Sequence, residues 1–283
     1  MKHILFSCIL VVITLSSFAQ KSNFLKRKGT WYLSWGYNRS TYANSDIHFV
    51  GPNYDFTLEK VVAKDFPTPL SEFGTYVNPS LLSIPQFNFH AGYFINDKWA
   101  ISIGWDHMKY VMVNDQLSSI TGNIGAQVSN PTIDVNPSYV GTYNHSPFTI
   151  NSTDFLTFEH TDGFNYASIE AENYQPIWKG KKKSLQLDWM NGFGAGLIVP
   201  RSDVRLFKVG ANHFWNVAGA GASVKTGLRL NFSKLLYFEA VVKAGTTRLW
   251  DIRTTGRKVD HAEQSISYVE GYGALGFTIG SVK

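Results

Sequence analysis

The stretch Phe87–Trp105, FNFHAGYFINDKWAISIGW, decides the fold of this chain, because large apolar side chains recur at every second position in it. The alternation runs from Phe87 to Ile95 and resumes at Trp99 after the polar sequence Asn-Asp-Lys. A β-strand points successive side chains to opposite faces, so a period of two predicts two strands joined by a tight turn. One face of this hairpin is apolar, and the other carries small and polar residues.

The same alternation recurs along most of the chain. Six further segments show it: 31–38, 164–178, 185–197, 218–230, 236–243 and 268–279. Together with the first hairpin they predict about eight strands, which suit tilted membrane strands of about 9–11 residues.

The predicted connections differ sharply in length. Short turns near 96–98, 179–183 and 231–234 alternate with long connections at about 41–83, 114–162, 200–212 and 251–265. Short turns at one end and long loops at the other are typical of outer-membrane barrels. Within the first long loop, the strand-like residues 46–50 and 54–62 predict a hairpin that extends the barrel wall.

The composition excludes several classes of protein. The 283 residues carry a net charge of +5, 17% charged and 15% aromatic residues, 24 glycines and one cysteine. These values exclude a disordered chain, a coiled coil and a disulfide scaffold. The mean hydropathy of −0.12 is too polar for a bundle of membrane helices. After the N-terminal leader, the sequence offers no run of 18 apolar residues, so any membrane span must be made of strands.

The N-terminus predicts export. Residues 1–19 read as a secretory signal, with Lys2 before an apolar stretch and Ser17-Phe18-Ala19 as the cleavage site. Cys8 lies inside this leader, so the mature chain has no cysteine. We therefore expect residues 20–283 to form a single barrel domain in the bacterial outer membrane.

The strand pattern across residues 30–280, the leader and the aromatic strand ends give the chain a recognisable overall architecture. Its last strand carries Tyr272, Leu275, Phe277 and Ile279. In these features the chain resembles the small eight-stranded outer-membrane β-barrel proteins of Gram-negative bacteria. The resemblance implies an all-β, eight-stranded antiparallel up-and-down transmembrane barrel with short periplasmic turns and two very long outer loops. A soluble lipocalin-type barrel, with its apolar face turned inward around a ligand, is the alternative.

The polar face of the predicted strands carries charges of both signs. The residues expected to face the lumen are Asp106, Glu170, Glu172, Asp188, Lys225, Arg229, Glu239, Lys243 and Glu270. Side chains fill the interior of an eight-stranded barrel, and buried charges must pair. We therefore expect a charge-paired plug in which each of the three cations contacts carboxylates, without a water-filled pore. A proton or ion path is the functional alternative.

Few residues suggest catalysis. Some small outer-membrane barrels modify lipid A with His, Ser and acidic residues at the outer rim, and His48, Asp106 and His107 are the candidates here. No family motif joins them, and adjacent residues such as Asp106 and His107 point to opposite faces of a strand. No spacing suggests a metal site, and no motif suggests a cofactor.

Basic residues flank the third and fourth outer loops. Arg201, Arg205, Arg248, Arg253 and Arg257 are predicted to face the phosphates of lipopolysaccharide, although ordinary solvated loop charge explains them equally well.

Function is predicted only by class. The leading hypothesis is a non-enzymatic binding or accessory component of an outer-membrane assembly, because no chemical motif stands out. The alternatives are a lipid A-modifying enzyme, by acyl transfer or deacylation, and a narrow passive channel. The expected partners are outer-membrane lipid, lipopolysaccharide and other outer-membrane proteins. The predicted compartment excludes nucleic acid despite the pI of 9.1.

Overall fold

The computed structural model describes residues 24–81, 84–181, 184–210 and 212–280. The predicted signal, residues 1–19, lies outside this part of the chain. Strands numbered in chain order make up nearly all of the fold. Eight of them form a ring: β1 (Trp31–Tyr42), β5 (Phe87–Phe94), β6 (Trp99–Met112), β11 (Leu156–Lys179), β12 (Gln186–Ile198), β15 (Gly219–Asn231), β16 (Leu236–Arg253) and β17 (His261–Ile279).

The ring is closed and antiparallel throughout. Its order is β1-β5-β6-β11-β12-β15-β16-β17, and β17 pairs back to β1 from Trp31 opposite Ile279 to Tyr42 opposite Tyr268. The prediction of eight strands is confirmed, including the least regular segment, 164–178, which forms part of β11. The start of β1 and the end of β17 lie at the short-turn end of the barrel, because Trp31 pairs with both Ile279 and Tyr93.

The two faces of the wall differ in the way a membrane barrel requires. Outward side chains such as Ile103, Phe193 and Val224 are exposed, whereas the alternate residues on the same strands are buried inside. An apolar outer face and a polar inner face fit a lipid surround and contradict the lipocalin alternative. The interior is tightly filled, since a Cβ atom on Gly92 would lie 2.2 Å from the Tyr32 ring. The protein is a transmembrane barrel.

Beyond the membrane, the two longest connections are themselves folded. They contribute β2 (Ser45–Gly51), β3 (Tyr54–Val61), β4 (Ala63–Lys64), β7 (Leu117–Ile124), β8 (Gln127–Val128), β9 (Ile133–Asp134) and β10 (Gly141–Thr149). The order β17-β2-β3-β7-β10 continues the barrel wall outward, so the predicted hairpin of residues 45–62 is confirmed. The third connection adds β13 (Arg201–Leu206), which pairs with β11, and β14 (Asn212–Trp215).

These added strands, here called the outer extension, enclose a core of buried apolar side chains. Phe49 and Phe56 stack at a centroid distance of 5.0 Å, and Phe155 and Phe207 pack edge-on at 5.5 Å. Phe158 lies among them and is fully buried. Aromatic burial of this extent contributes a few kcal/mol per side chain. The segments predicted as long loops therefore form, for the most part, an ordered extension of the barrel with its own core.

A short helix stands apart from this sheet. Helix α1 (Phe73–Val77) follows a 3-10 turn at Leu70–Glu72, between β4 and β5. No helix in the described ranges is long and apolar enough to cross a membrane.

Candidate functional site: the charged barrel interior

The middle of the lumen holds a central charge layer, formed by Asp106, Glu170, Glu172, Lys225 and Lys243. Lys225 lies between Glu170 and Glu172, with its Nζ 2.6 Å from the Glu172 carboxylate. Lys243 contacts Asp106 and lies 2.7 Å from Glu170. Strand register produces this meeting, because Lys225 pairs with Lys243 across β15 and β16 while the carboxylates come from β6 and β11. All five side chains are buried.

Towards the short-turn end, Arg229 sits in an aromatic box. Its guanidinium lies over the rings of Tyr237, Tyr174 and Tyr32, at 3.9, 4.3 and 4.7 Å from their centroids. Its Nε donates to Glu239 at 2.6 Å. Cation–π contacts strengthen when the cation is desolvated, and a planar guanidinium combines ring stacking with a directed hydrogen bond. The box therefore stabilises a buried charge that would otherwise be costly.

A residue that sequence reasoning missed closes that end of the barrel. Arg27 precedes β1, and its Nη1 lies 2.7 Å from Asp188 inside the wall. The same segment is tied down by Leu25, whose backbone N–H donates to Gln186, and by Asp97, which accepts from the Arg27 N–H. The sequence held one signal of this contact. The predicted lumen carboxylates outnumber the predicted cations, and Arg27 supplies one further cation from outside the strands.

Glu270 stands out among the lumen carboxylates. It accepts a hydrogen bond of 2.8 Å from Asn88, which also donates to Asp106 at 2.7 Å. Across the described ranges, it is the one member of the predicted charge set without an ion pair within 4 Å.

One group of side chains in the described residues has the donor types of a metal site. The donor atoms of His90, Asp106 and Glu170 lie within 4.8 Å of one another. The lysine ammonium groups already contact both carboxylates, and His90 Nε2 stays 3.5 Å or more from them. A divalent cation would have to displace buried ammonium groups, so the set does not fit a metal ion.

The catalytic candidates do not come together. His48 forms an exposed pair with Asp55, with Nε2 and Oδ1 2.7 Å apart, on the outer extension. Asp106 belongs to the central charge layer, while His107 points outward, stacks on Phe87 and binds Asn165 at 2.7 Å. Asp106 and His107 are separated because adjacent side chains of one strand point to opposite faces, as the sequence predicts.

A contact between a serine and a histidine does exist elsewhere. Ser202 Oγ lies 2.9 Å from His160 Nδ1, but both side chains are almost completely buried. His160 Nε2 has no hydrogen-bond partner, so no carboxylate orients this ring as in a hydrolase triad. The pair belongs to the packed interior.

The predicted basic residues spread over the outer rim. Arg248 contacts Glu263, Arg253 lies 3.3 Å from Asp251, and Arg201 lies 3.8 Å from Asp162. The remaining two, Arg205 and Arg257, lie on β13 and after β16.

Next to these arginines lies an exposed apolar group, here called the rim patch: Trp215, Val217 and Trp250. The Trp250 N–H donates to the Ala218 carbonyl at 2.8 Å, which brings the two segments together. Trp215 is 54% and Trp250 48% exposed. Arg201 pairs with Trp215 in the sheet, and Arg248 lies on the same outward face as Trp250.

The protein combines a closed eight-stranded ring and an apolar outer face with a charged interior that side chains fill. The chain has the fold of an outer-membrane β-barrel. It matches no protein-family model, and no curated protein sequence is significantly similar to it.

Among solved structures, the chain is similar to the outer membrane protein OprG from Pseudomonas aeruginosa, with 9% identity, 90% of this chain and 98% of that chain covered, and a TM-score of 0.41. It is similar to Neisserial surface protein A, with 12% identity, coverage of 85% and 95%, and a TM-score of 0.31. It is also similar to Ail of Yersinia pestis in complex with the heparin analogue sucrose octasulfate, with 9% identity, coverage of 87% and 99%, and a TM-score of 0.26. At these values, the activities of those proteins do not carry over to this chain.

Proposed function

We propose that this protein is a non-enzymatic binding component of the outer membrane, and that its ordered outer extension presents a docking surface to another outer-membrane protein. The observation that carries the proposal is the rim patch. Large exposed apolar side chains on a rigid support mark interaction sites, and Trp and Arg dominate the binding energy of protein interfaces.

The filled barrel interior argues against the two alternative functions, a passive channel and a lipid A enzyme. Apart from Glu270, the predicted lumen charges form ion pairs inside the barrel, and their side chains are buried. A passive channel needs a continuous polar bore, and a lipid A enzyme needs an accessible nucleophile beside a base. The rim patch, in contrast, is exposed on the outer face, where a partner protein can contact it.

The experiment is recovery of the full-length protein from its native membrane in mild detergent, with partners identified by mass spectrometry. A stoichiometric protein partner is expected with the natural chain and should be lost from the double variant Trp215→Ala, Trp250→Ala. The matched control is Leu117→Ala, because Leu117 is 73% exposed on β7 of the same extension but lies outside the rim patch. Recovery of the protein alone, or equal recovery of the partner by all three proteins, contradicts the proposal.

Lipopolysaccharide is a second candidate partner at the same rim, favoured by Arg248, which is exposed beside Trp250. Tryptophan and arginine together suit the boundary between acyl chains and phosphates. Binding of purified lipopolysaccharide that falls on Arg248→Ala, without any effect on a protein partner, would favour this candidate over the first.

A further inference from the structure

The barrel wall has a seam between β1 and β6. Strand β5, which separates them, pairs with β1 only from Trp31 to Gly36. Both neighbours continue outward beyond the end of β5, and β4 pairs with β6 only at Val111 and Met112. Between β5 and β4, the facing edges of β1 and β6 therefore carry backbone groups without a ladder partner. An unpaired peptide group is costly in a membrane, where no water replaces the lost hydrogen bond.

Side chains take the place of the missing strand. Asn38 donates to the carbonyls of Phe87 and His107 at 3.1 and 3.3 Å, and the Tyr42 hydroxyl donates to the Lys109 carbonyl at 2.8 Å. On the β1 edge, the Ser40 N–H donates to the Asp65 carboxylate at 3.2 Å. The seam is therefore closed by side-chain hydrogen bonds.

Asp65 begins a segment that lies outside the seam, here called the strap: residues 65–78, which include α1. Tyr76 fixes the strap to the wall. Its ring meets the outward-facing Tyr37 edge-on at 5.0 Å, its carbonyl accepts from the Tyr37 hydroxyl, and its own hydroxyl donates to the Thr68 carbonyl. Of the residues of the 3-10 turn and α1, only Tyr76 is buried.

The outer side of the strap exposes four large apolar side chains, together with Ser71 and Glu72. Leu70 is 78% exposed and Phe73 is 68% exposed, and Phe66 and Val77 are also mostly exposed. A large apolar surface of this kind is unfavourable in water at about 25 cal/mol per Å². It requires a cover.

The register of the wall gives the level of the strap. Tyr37 pairs with Gly273 of β17, whereas the exposed Val269 pairs with Thr41, four residues farther outward along β1. The side chain that carries the strap therefore lies inside the apolar, lipid-facing band rather than above it.

We propose that the strap is embedded in the outer leaflet of the membrane, with Leu70 and Phe73 among the acyl chains, and that it covers the seam from the lipid side. The cover is lipid because Tyr37, which carries the strap, lies closer to the membrane centre than the exposed, lipid-facing Val269. This surface is separate from the rim patch, so the inference does not depend on the proposed protein partner.

Site-specific fluorescence tests the proposal on the full chain in lipid nanodiscs. The single cysteine, Cys8, is changed to Ser, so that each labelled variant carries one thiol. The test variants are Leu70→Cys and Phe73→Cys, both at exposed positions whose change leaves the barrel core intact. Ile103→Cys, on the exposed lipid face of β6, is the lipid control, and Leu117→Cys is the water control.

Each variant carries an environment-sensitive dye and is measured with doxyl-labelled phosphatidylcholine and with aqueous iodide. Leu70→Cys and Phe73→Cys should show blue-shifted emission that the lipid label quenches, as it does for Ile103→Cys. For these two test variants, a label near the headgroup should quench more strongly than one near the end of the acyl chain. Quenching by iodide to the extent seen for Leu117→Cys would overturn the proposal. Protection from both quenchers would also overturn it, because a protein would then cover the strap.

Discussion

Substitution of Lys243 is the most direct test of charge pairing in the barrel interior. The variant Lys243→Met removes an ammonium group from between Asp106 and Glu170 while keeping most of the side-chain volume. At 2.7 Å from Glu170, a unit charge pair attracts by about 6 kcal/mol for an effective dielectric constant of 20. Burial of the ions offsets much of this attraction in the natural protein, so the pair itself adds little net stability.

The variant keeps the cost of burial and loses the attraction. Glu170 retains Lys225, but the Asp106 carboxylate has no other ion pair with a lysine or arginine in the described chain. Breaking a buried ion pair by removing one partner costs about 3–5 kcal/mol. We expect Lys243→Met to lower the free energy of unfolding by about that amount.

A second substitution separates charge imbalance from loss of packing. In the double variant Asp106→Asn, Lys243→Met, the uncompensated carboxylate is gone, and we expect most of the lost stability to return. The exposed Lys258→Met is the matched control and should unfold like the natural chain. If the double variant were as unstable as Lys243→Met, packing rather than charge would explain the loss.

The assay is equilibrium unfolding of the refolded barrel in detergent with guanidinium chloride. Tryptophan fluorescence and the electrophoretic mobility of the folded species report the transition. A midpoint for Lys243→Met equal to that of the natural chain would refute the reasoning, because a buried carboxylate would then have lost its cation without cost.

Two further predictions concern the packed wall and the outer extension. Gly92→Ala should prevent folding or lower the unfolding midpoint strongly, because its Cβ would lie 2.2 Å from the Tyr32 ring. Gly271→Ala is the control and should unfold like the natural chain, because the added Cβ would meet no atom within 4 Å. Equal unfolding midpoints for the two variants would contradict this prediction. Hydrogen bonds from Thr121 and His145 hold the pKa of Glu59 below its ordinary value. The stabilisation from Glu59 is therefore present above the ordinary glutamate pKa of about 4.3 and is lost as pH falls through the lowered one. Thr121→Val should raise the Glu59 pKa towards that ordinary value in an NMR titration, and an unchanged pKa would contradict the assignment.

The sequence by itself determined the wall of the barrel. Alternation of side chains is a property of the backbone of each strand, so Phe87–Trp105 showed its two faces without knowledge of any partner. The same local rule gave the hairpin at 45–62 and placed Lys225 and Lys243 on the inner face. It also separated Asp106 from His107.

Only the tertiary structure decided which groups meet. The pairing of Lys243 with Asp106 depends on the registers of four successive strand pairs, from β6 through β11, β12 and β15 to β16, and no local pattern contains them. Arg27 reaches Asp188 across 161 residues, and Tyr76 of the strap reaches Tyr37 across 39 residues. Apart from the hairpin at 45–62, the sequence predicts loops where the outer extension lies, because its strands are short and interrupted and their order comes from pairing with β17. Contacts distant in sequence arise when the ring closes, whereas the faces of each strand follow from its own backbone.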